Sequence, residues 1–452
     1  MTLCSDRVSP LLNSPMTREE FDACLETLTP AQKRVLWLFL DDKTDPQIAV
    51  VLSCVQANVR QHISKICKAF GHSNSDGESY SHRNDLVEDF LQHLPEKVGP
   101  GWKEKLGIQA EQPDVPGSPF TVDSRFYINR PLAEGRALRV LNPAALVRIR
   151  GPHRTGKTSL LNRMIHSARA QQYHTAVVGL YKPESEILQD LERFLRWFCL
   201  QVSEKVGLPP NLEDYWSTQQ GHASSCSSYL QRYILRNLDQ PLVVAIDGAD
   251  RLFEYPQTAQ AFFRLVRGWS EEGKVSEVWQ NLRQVMVYAT DVYIDLGGYY
   301  GSPFNVGTAI TLLPLSLSQI ETLAQQYGLI QFTGADTQTL MALVAGHPYL
   351  VQLALYSLHQ DSNLSMAELA KVATSPTQIY GNHLRTLTGK LGNAPDLASA
   401  FDAVIAAQGK PIAMDDTTAK KLEGMGLVTR QNDTVTVSCQ LYQRYFQGRL
   451  LG

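Results

Sequence analysis

The run Gly151-Pro-His-Arg-Thr-Gly-Lys-Thr158 sets two glycines, a lysine and a hydroxyl at the GxxxxGK[ST] spacing that grips phosphate. Gly151 and Gly156 let the backbone bend so that its N–H groups face an anion. Lys157 can reach β- and γ-phosphates, and Thr158 offers a hydroxyl to Mg²⁺. Arg154, Thr155 and Ser159 complete the expected contact set for ATP or ADP. Roughly ninety residues on, Leu242-Val-Val-Ala-Ile-Asp247 is an apolar run closed by a carboxylate. Beside such a loop, that aspartate would share the Mg²⁺ with Thr158. The next residue is Gly248, so no side chain follows Asp247 to orient an attacking water. Asp250 is the nearest carboxylate in sequence that could take that role, and slow hydrolysis is expected. Thr290, at the end of Val285-Met-Val-Tyr-Ala-Thr290, is a candidate γ-phosphate sensor on the neighbouring strand.

Such residues work only if a parallel sheet carries them to one edge. Residues 125–315 alternate short β-rich runs with helical stretches, the pattern of a sheet covered by helices. The strand candidates are Ala145–Arg150, His174–Leu180, Pro241–Asp247, Gln284–Thr290 and Thr308–Leu313. The predicted fold is an α/β P-loop NTPase core, a five-stranded parallel sheet of the additional-strand type. A helical lid over 316–395 and a winged helix over 396–452 follow it. In the last of these, Gly426–Arg430 and Thr434–Ser438 read as wing strands. The proline- and glycine-rich stretch 94–124 reads as a linker or a draped connection.

Ahead of that linker, residues 1–93 read as an all-α helix-turn-helix domain. Thr17 with Glu20 has capping-box spacing, and Thr29-Pro30 and Asp45-Pro46 put proline at helix starts. Val55–Phe70 carries Val59, Ile63, Ile66 and Phe70 on one face, with Arg60, Gln61, Ser64, Lys65 and Lys68 toward the other. A short basic and amide-bearing helix after a turn suits the major groove of double-stranded DNA. Charge opposes this: residues 16–90 hold 8 Lys/Arg and 12 Asp/Glu, a net −4. A protein-docking module is the alternative.

Taken together, Gly151–Thr158, Ile246–Leu252, Tyr288–Ile294, Ser302–Gly307 and Gly346-His-Pro-Tyr-Leu-Val351 resemble the AAA-like ATPase domain common in cyanobacteria, of the STAND class of signalling NTPases. The resemblance runs from Phe126-Tyr-Ile-Asn-Arg-Pro131 to Leu441-Tyr-Gln-Arg-Tyr-Phe446. It implies switching between closed ADP and open ATP states, and it assigns Pro348 to the adenine. The family usually has Asp-Glu where this chain has Asp247-Gly248. The amino-terminal run resembles the LuxR-like helix-turn-helix of proteins associated with bacterial conflict systems (the vWA-MoxR type), although Val55 stands where a polar helix-start residue is usual.

Bulk composition sets the limits. The 452 residues exceed one ordinary core. A net charge of −3 gives no global pull toward nucleic acid or anionic membrane. Seven scattered cysteines, none spaced as CxxC, fit a reducing compartment. Without a signal-like amino terminus or a long apolar run, a cytoplasmic protein with no membrane contact is expected. The leading expectation is a nucleotide-gated switch governing the helix-turn-helix, with a nucleotide-dependent oligomer as one form it could take. No sensor repeats follow residue 452, so a separate chain is expected to supply the input. The alternatives are an ATP-dependent transcription regulator and a DNA-remodelling or transposition-type AAA ATPase.

Overall fold

The computed structural model describes residues 16–72, 82–94, 97–106, 113–217, 219–290, 306–375 and 377–449. Two compact units divide at Gln112 and Pro113.

The amino-terminal unit is helical: α1 (Arg18–Thr27), α2 (Pro30–Leu40), α3 (Asp45–Val51), α4 (Gln56–Ala69), α5 (Arg83–His93) and α6 (Pro100–Lys105). Its helix starts follow local chemistry. The Thr17 N–H donates to Glu20 Oε2 at 2.8 Å and the Glu20 N–H returns to Thr17 Oγ1 at 3.4 Å, a closed capping box. Thr29 caps α2 with Pro30 in its first turn, and Thr44 caps α3 ahead of Asp45 and Pro46. Val55, with no oxygen to offer, leaves α4 without a side-chain cap. The apolar face of α4 meets α2 and α5 in a core of Phe21, Leu36, Phe39, Val59, Ile63, Phe70 and Phe90.

The stretch 94–124, expected as a linker or a draped connection, is divided between the units. The Trp102 indole N–H donates to the Phe39 carbonyl at 2.7 Å, and the Gly99 N–H reaches Leu40 O at 2.7 Å. Residues up to Leu106 therefore belong to the helical unit. From Pro113 on, the chain lies against the second unit. Proline and glycine marked irregular backbone, which can still be packed backbone.

The second unit holds β1 (Leu146–Gly151), β2 (His174–Gly179), β3 (Leu242–Asp247), β4 (Leu282–Ala289) and β5 (Thr308–Thr311), all parallel in the order β2-β3-β4-β1-β5. The additional strand β4 thus separates the phosphate-loop strand β1 from the carboxylate strand β3. Period-two alternation decides each face. Val243 and Ala245 meet Leu160, Leu161 and Ile165, whereas Leu242, Val244 and Ile246 meet Phe194, Phe198, Phe262 and Phe263. Helices α7 (Pro131–Ala137) and α8 (Lys157–Ala170) supply the first face; the helices Leu191–Lys205 and Pro256–Glu272 supply the second.

Beyond β5 come the lid helices, of which Pro348–Gln360 is central. The winged helix follows, with helices Pro395–Ala406, Asp416–Gly424 and Gln440–Phe446 and an antiparallel sheet of β6 (Ile412–Ala413), β7 (Val428–Gln431) and β8 (Thr434–Val437) in the order β6-β8-β7. One continuous apolar cluster runs from Leu315 through Leu350, Tyr380 and Phe401 to Phe446, so lid and winged helix share a core. Among the described residues no helix is long and apolar enough to cross a membrane.

Candidate functional site

The loop between β1 and α8 is folded by its own atoms. Gly156 at φ +92° caps α8, and the Thr155 hydroxyl donates to Pro152 O at 3.0 Å. The Lys157 ammonium donates to the carbonyls of Gly151 (3.0 Å) and Pro152 (2.6 Å), which holds a cation at the mouth of the loop. Across the sheet edge the Thr158 hydroxyl donates to Asp247 Oδ2 at 3.3 Å. Burial pushes the Asp247 carboxyl above its ordinary range. The Thr158 hydroxyl, the Gly248 N–H and Lys157 oppose that rise, and nearby Asp250 adds to it. A buried carboxylate with that bias is stabilised by an added cation, so Thr158 and Asp247 fit a Mg²⁺ site.

These groups open onto a cavity of about 580 Å³, a size suited to a nucleotide. Its polar floor includes Arg154, Gly156, Lys157, Thr158, Ser159, Asp247 and Asp250. Aromatic and proline walls come from Phe120, Tyr127, Tyr181, Tyr288, Pro348 and Tyr349. The combination of a cationic loop with flat apolar walls suits a phosphorylated aromatic base.

Each expected residue has a definite position. Arg154, at φ +60°, lays its guanidinium 4.4 Å over the Tyr349 ring. Ser159 is buried, and its hydroxyl accepts from the Phe120 N–H at 3.1 Å. In this structure it therefore fastens the Pro116–Phe120 wall. Pro348 lines the cavity from the first turn of the lid helix Pro348–Gln360. The turn ahead of it demands glycine: Gly346 has φ +69°, its carbonyl accepts from the Leu315 N–H, and a Cβ there would lie 2.3 Å from Leu315 O. Asp250 faces the cavity from the short turn Ala249–Glu254, but its Oδ1 already accepts from the Ala289 N–H at 2.8 Å. Gly248 begins that turn at φ +73°, a left-handed conformation that disfavours any side chain. Thr290 does not line the cavity. Its N–H donates to Gly151 O at 3.2 Å, and its hydroxyl donates to Gly424 O of the winged helix at 3.0 Å. Residues 291–305, with most of the expected Tyr288–Ile294 and Ser302–Gly307 motifs, lie outside the described residues.

Two participants were not singled out from sequence. Arg130 donates to Thr155 O at 2.9 Å, while its Nε is buried with no partner among the described residues. Its signal was present in the Phe126–Pro131 run. The Pro116–Phe120 wall had no such signal, because its role arises from anchoring along α8. Besides the Ser159 bond, Arg163 donates to Val122 O at 2.9 Å and Asn162 to Phe120 O at 3.4 Å.

In the helical unit, Arg60, Gln61, Ser64, Lys65 and Lys68 are all exposed along α4. Arg60 Nε donates to Asp45 Oδ2 at 3.2 Å, and Arg83 makes a two-pronged bond to the same carboxylate, both contacts at 2.9 Å. Among the described residues, Lys65 and Lys68 carry no such pairing.

Comparison with known proteins adds three findings. Residues 115–448 match the family described as AAA-like domain, and residues 18–70 match Sigma-70, region 4. No curated protein matches this chain in sequence. Among solved structures, the Walker-type ATPase PABY2304 of Pyrococcus abyssi is similar at 12% identity with a TM-score of 0.50, over 73% of this chain and 98% of that one. The ORC2 protein of Aeropyrum pernix, in ADPNP and ADP complexes, is similar at 14% identity with a TM-score of 0.40, over 76% and 98%. At these identities the first likeness speaks to fold alone, and the second carries no further weight.

Proposed function

The chain belongs to the AAA-like domain family, and from that premise we propose that it is an ATP-gated regulatory switch whose nucleotide state governs an amino-terminal helix-turn-helix. Lys157 and the loop N–H groups bind the phosphates, Thr158 and Asp247 hold Mg²⁺, and Pro348 and Tyr349 pack on the base. The bound cation supplies charge neutralisation at the phosphates. Arg130, whose Nε is buried with no partner among the described residues, braces the loop through Thr155 O.

The observation that carries this reading is the hydrogen bond from Thr290 to Gly424 O. The strand that ends beside the phosphate loop is thereby tied to the winged helix. Gly426 adds to the contact, since a Cβ there would sit 3.4 Å from Pro152 in the loop itself. A change in loop geometry on nucleotide binding is felt directly by the carboxyl-terminal module. The STAND-type cycle between an ADP-closed and an ATP-open form, in a defence or other signalling setting, is the finer form of this proposal. Hydrogen exchange of residues 395–449 with ADP, with a non-hydrolysable ATP analogue and without nucleotide tests it. The switch reading requires protection that differs between the two nucleotides and a smaller difference in Thr290→Val. Identical protection in all three states refutes it.

The match to Sigma-70, region 4 supports duplex DNA as the output. A second reading, protein docking, is favoured by Val50, Val51 and Val55, which stand exposed around the turn before α4. Anisotropy of labelled duplex DNA at low and high salt, with and without ATP, separates the two.

A further inference from the structure

We infer that His72, His82 and Asp85 form a binding site for a divalent transition metal, with zinc the best match to the donor set, in the helical amino-terminal unit. One ligand atom from each of the three lies within 4.8 Å of the others. His72 follows the end of α4, His82 is the cap residue of α5 and Asp85 lies in its first turn. Two imidazoles and one carboxylate select zinc, cobalt or nickel over Mg²⁺ and Ca²⁺, which take oxygen ligands. Zinc bonds of about 2.0–2.2 Å set the distance at which the three ligand atoms must gather around the ion.

Three surrounding features suit the site. Asp89 Oδ2 lies 2.6 Å from His72 Nε2, so a second carboxylate orients that ring, the usual outer-shell partner of a metal-bound histidine. The His72 and His82 rings are nearly parallel, 18° apart with centroids at 6.1 Å. The neighbouring cation, Arg83, has both terminal nitrogens on Asp45. Cys67 is close but serves another purpose: its thiol donates to the His82 carbonyl at 3.6 Å and so anchors the backbone of a ligand residue. Burial pushes that thiol up to about 11.

The metal would join the end of α4 to the start of α5. Because α4 carries Gln61, Ser64, Lys65 and Lys68 on its exposed face, bound metal fixes the helix on which any DNA-facing or docking surface depends. In the structure His72 pairs with Asp89 and His82 with Asp85.

The test uses the full chain, stripped with chelator and titrated with Zn²⁺ against a chromophoric competitor in excess Mg²⁺, with Co²⁺ absorption as a second readout. One equivalent should bind, with the visible Co²⁺ bands of a four-coordinate nitrogen–oxygen site. His72→Ala and Asp85→Asn should abolish that equivalent, and Asp89→Asn should weaken it by about 10–100-fold. Circular dichroism checks that each variant is folded, and Asp85→Asn, which preserves shape, decides the matter should His72→Ala unfold. Absence of a stoichiometric equivalent in the native chain overturns the inference. So does undiminished binding in Asp85→Asn together with His82→Ala, which would place the metal on other histidines.

Discussion

Lys157 and Asp250 show how one residue can be assigned from the groups it touches. Lys157 rests on the Gly151 and Pro152 carbonyls, a place it can leave for phosphate oxygens without unfolding the loop. Lys157→Ala is expected to weaken a labelled ATP analogue by at least about 10- to 100-fold, the value of about 1.5–3 kcal/mol for a charge-assisted hydrogen bond. Circular dichroism should be unchanged, and undiminished affinity would remove the loop from the site. Asp250 was a candidate for orienting water, yet one of its oxygens holds the end of β4. Turnover of the native chain is therefore expected to be slow, and Asp250→Asn, which keeps an acceptor for Ala289, should change single-turnover hydrolysis by less than a few fold. A fall of about 10²–10⁴ would make Asp250 the water-positioning group after all. Installing a glutamate at Gly248 is a poor rescue, because φ +73° strains any side chain placed there. The composition of the loop was legible in sequence because its spacing is imposed by the phosphate chain. The commitments of Asp250, Ser159 and Thr290 were not, because each depends on a backbone group far away in sequence.

At the level of elements, the lid helix Pro348–Gln360 meets the winged helix through two half-buried histidines. The His347 and His383 ring centroids are 5.7 Å apart, and His383 Nε2 lies 2.7 Å from the Tyr442 hydroxyl. Burial pushes His347 down to about 4 and His383 to about 3, with neighbouring positive charge adding to both effects. Each ring is thus neutral in the folded chain and titrates near 6.5 once unfolded. For a histidine with a depressed folded value, the unfolded state binds more protons below about pH 6.5, so stability falls as pH falls from there toward 4. Thermal unfolding of the native chain should show that slope, and His347→Asn should flatten it. An unchanged slope would mean that other groups carry the acid sensitivity. Strand positions were readable because buried parallel strands are continuous apolar runs; β3 lies within one residue of its expected bounds. In 94–124 proline and glycine report backbone irregularity, and only the partners of Trp102 and Phe120 reveal where that backbone packs.

For the whole molecule, the question is whether a chain of net charge −3 can use DNA as its output. Binding must then come from the α4 face against a net −4 background, and it should be strongly salt-dependent. Lys65→Ala is expected to weaken duplex binding similarly for all sequences and to lower the salt slope by about one. Arg60→Ala should do less, since its guanidinium is already engaged by Asp45. Equal losses from both, measured by anisotropy across a salt series, would show that DNA displaces Asp45; no salt-dependent binding at all would favour the docking reading. The sequence by itself determined the class of fold and the glycine–lysine spacing on which the proposed phosphate site rests. Hydrophobic periodicity and the glycine–lysine spacing are local constraints, written in consecutive residues. Only the tertiary structure decided how those parts are wired: that residues 116–120 wall the cavity, that Arg130 braces the loop, and that Thr290 answers to the winged helix rather than to the cavity. These are pairings between groups as far as 134 positions apart, and no local pattern encodes which donor will find which acceptor once the sheet and lid have packed.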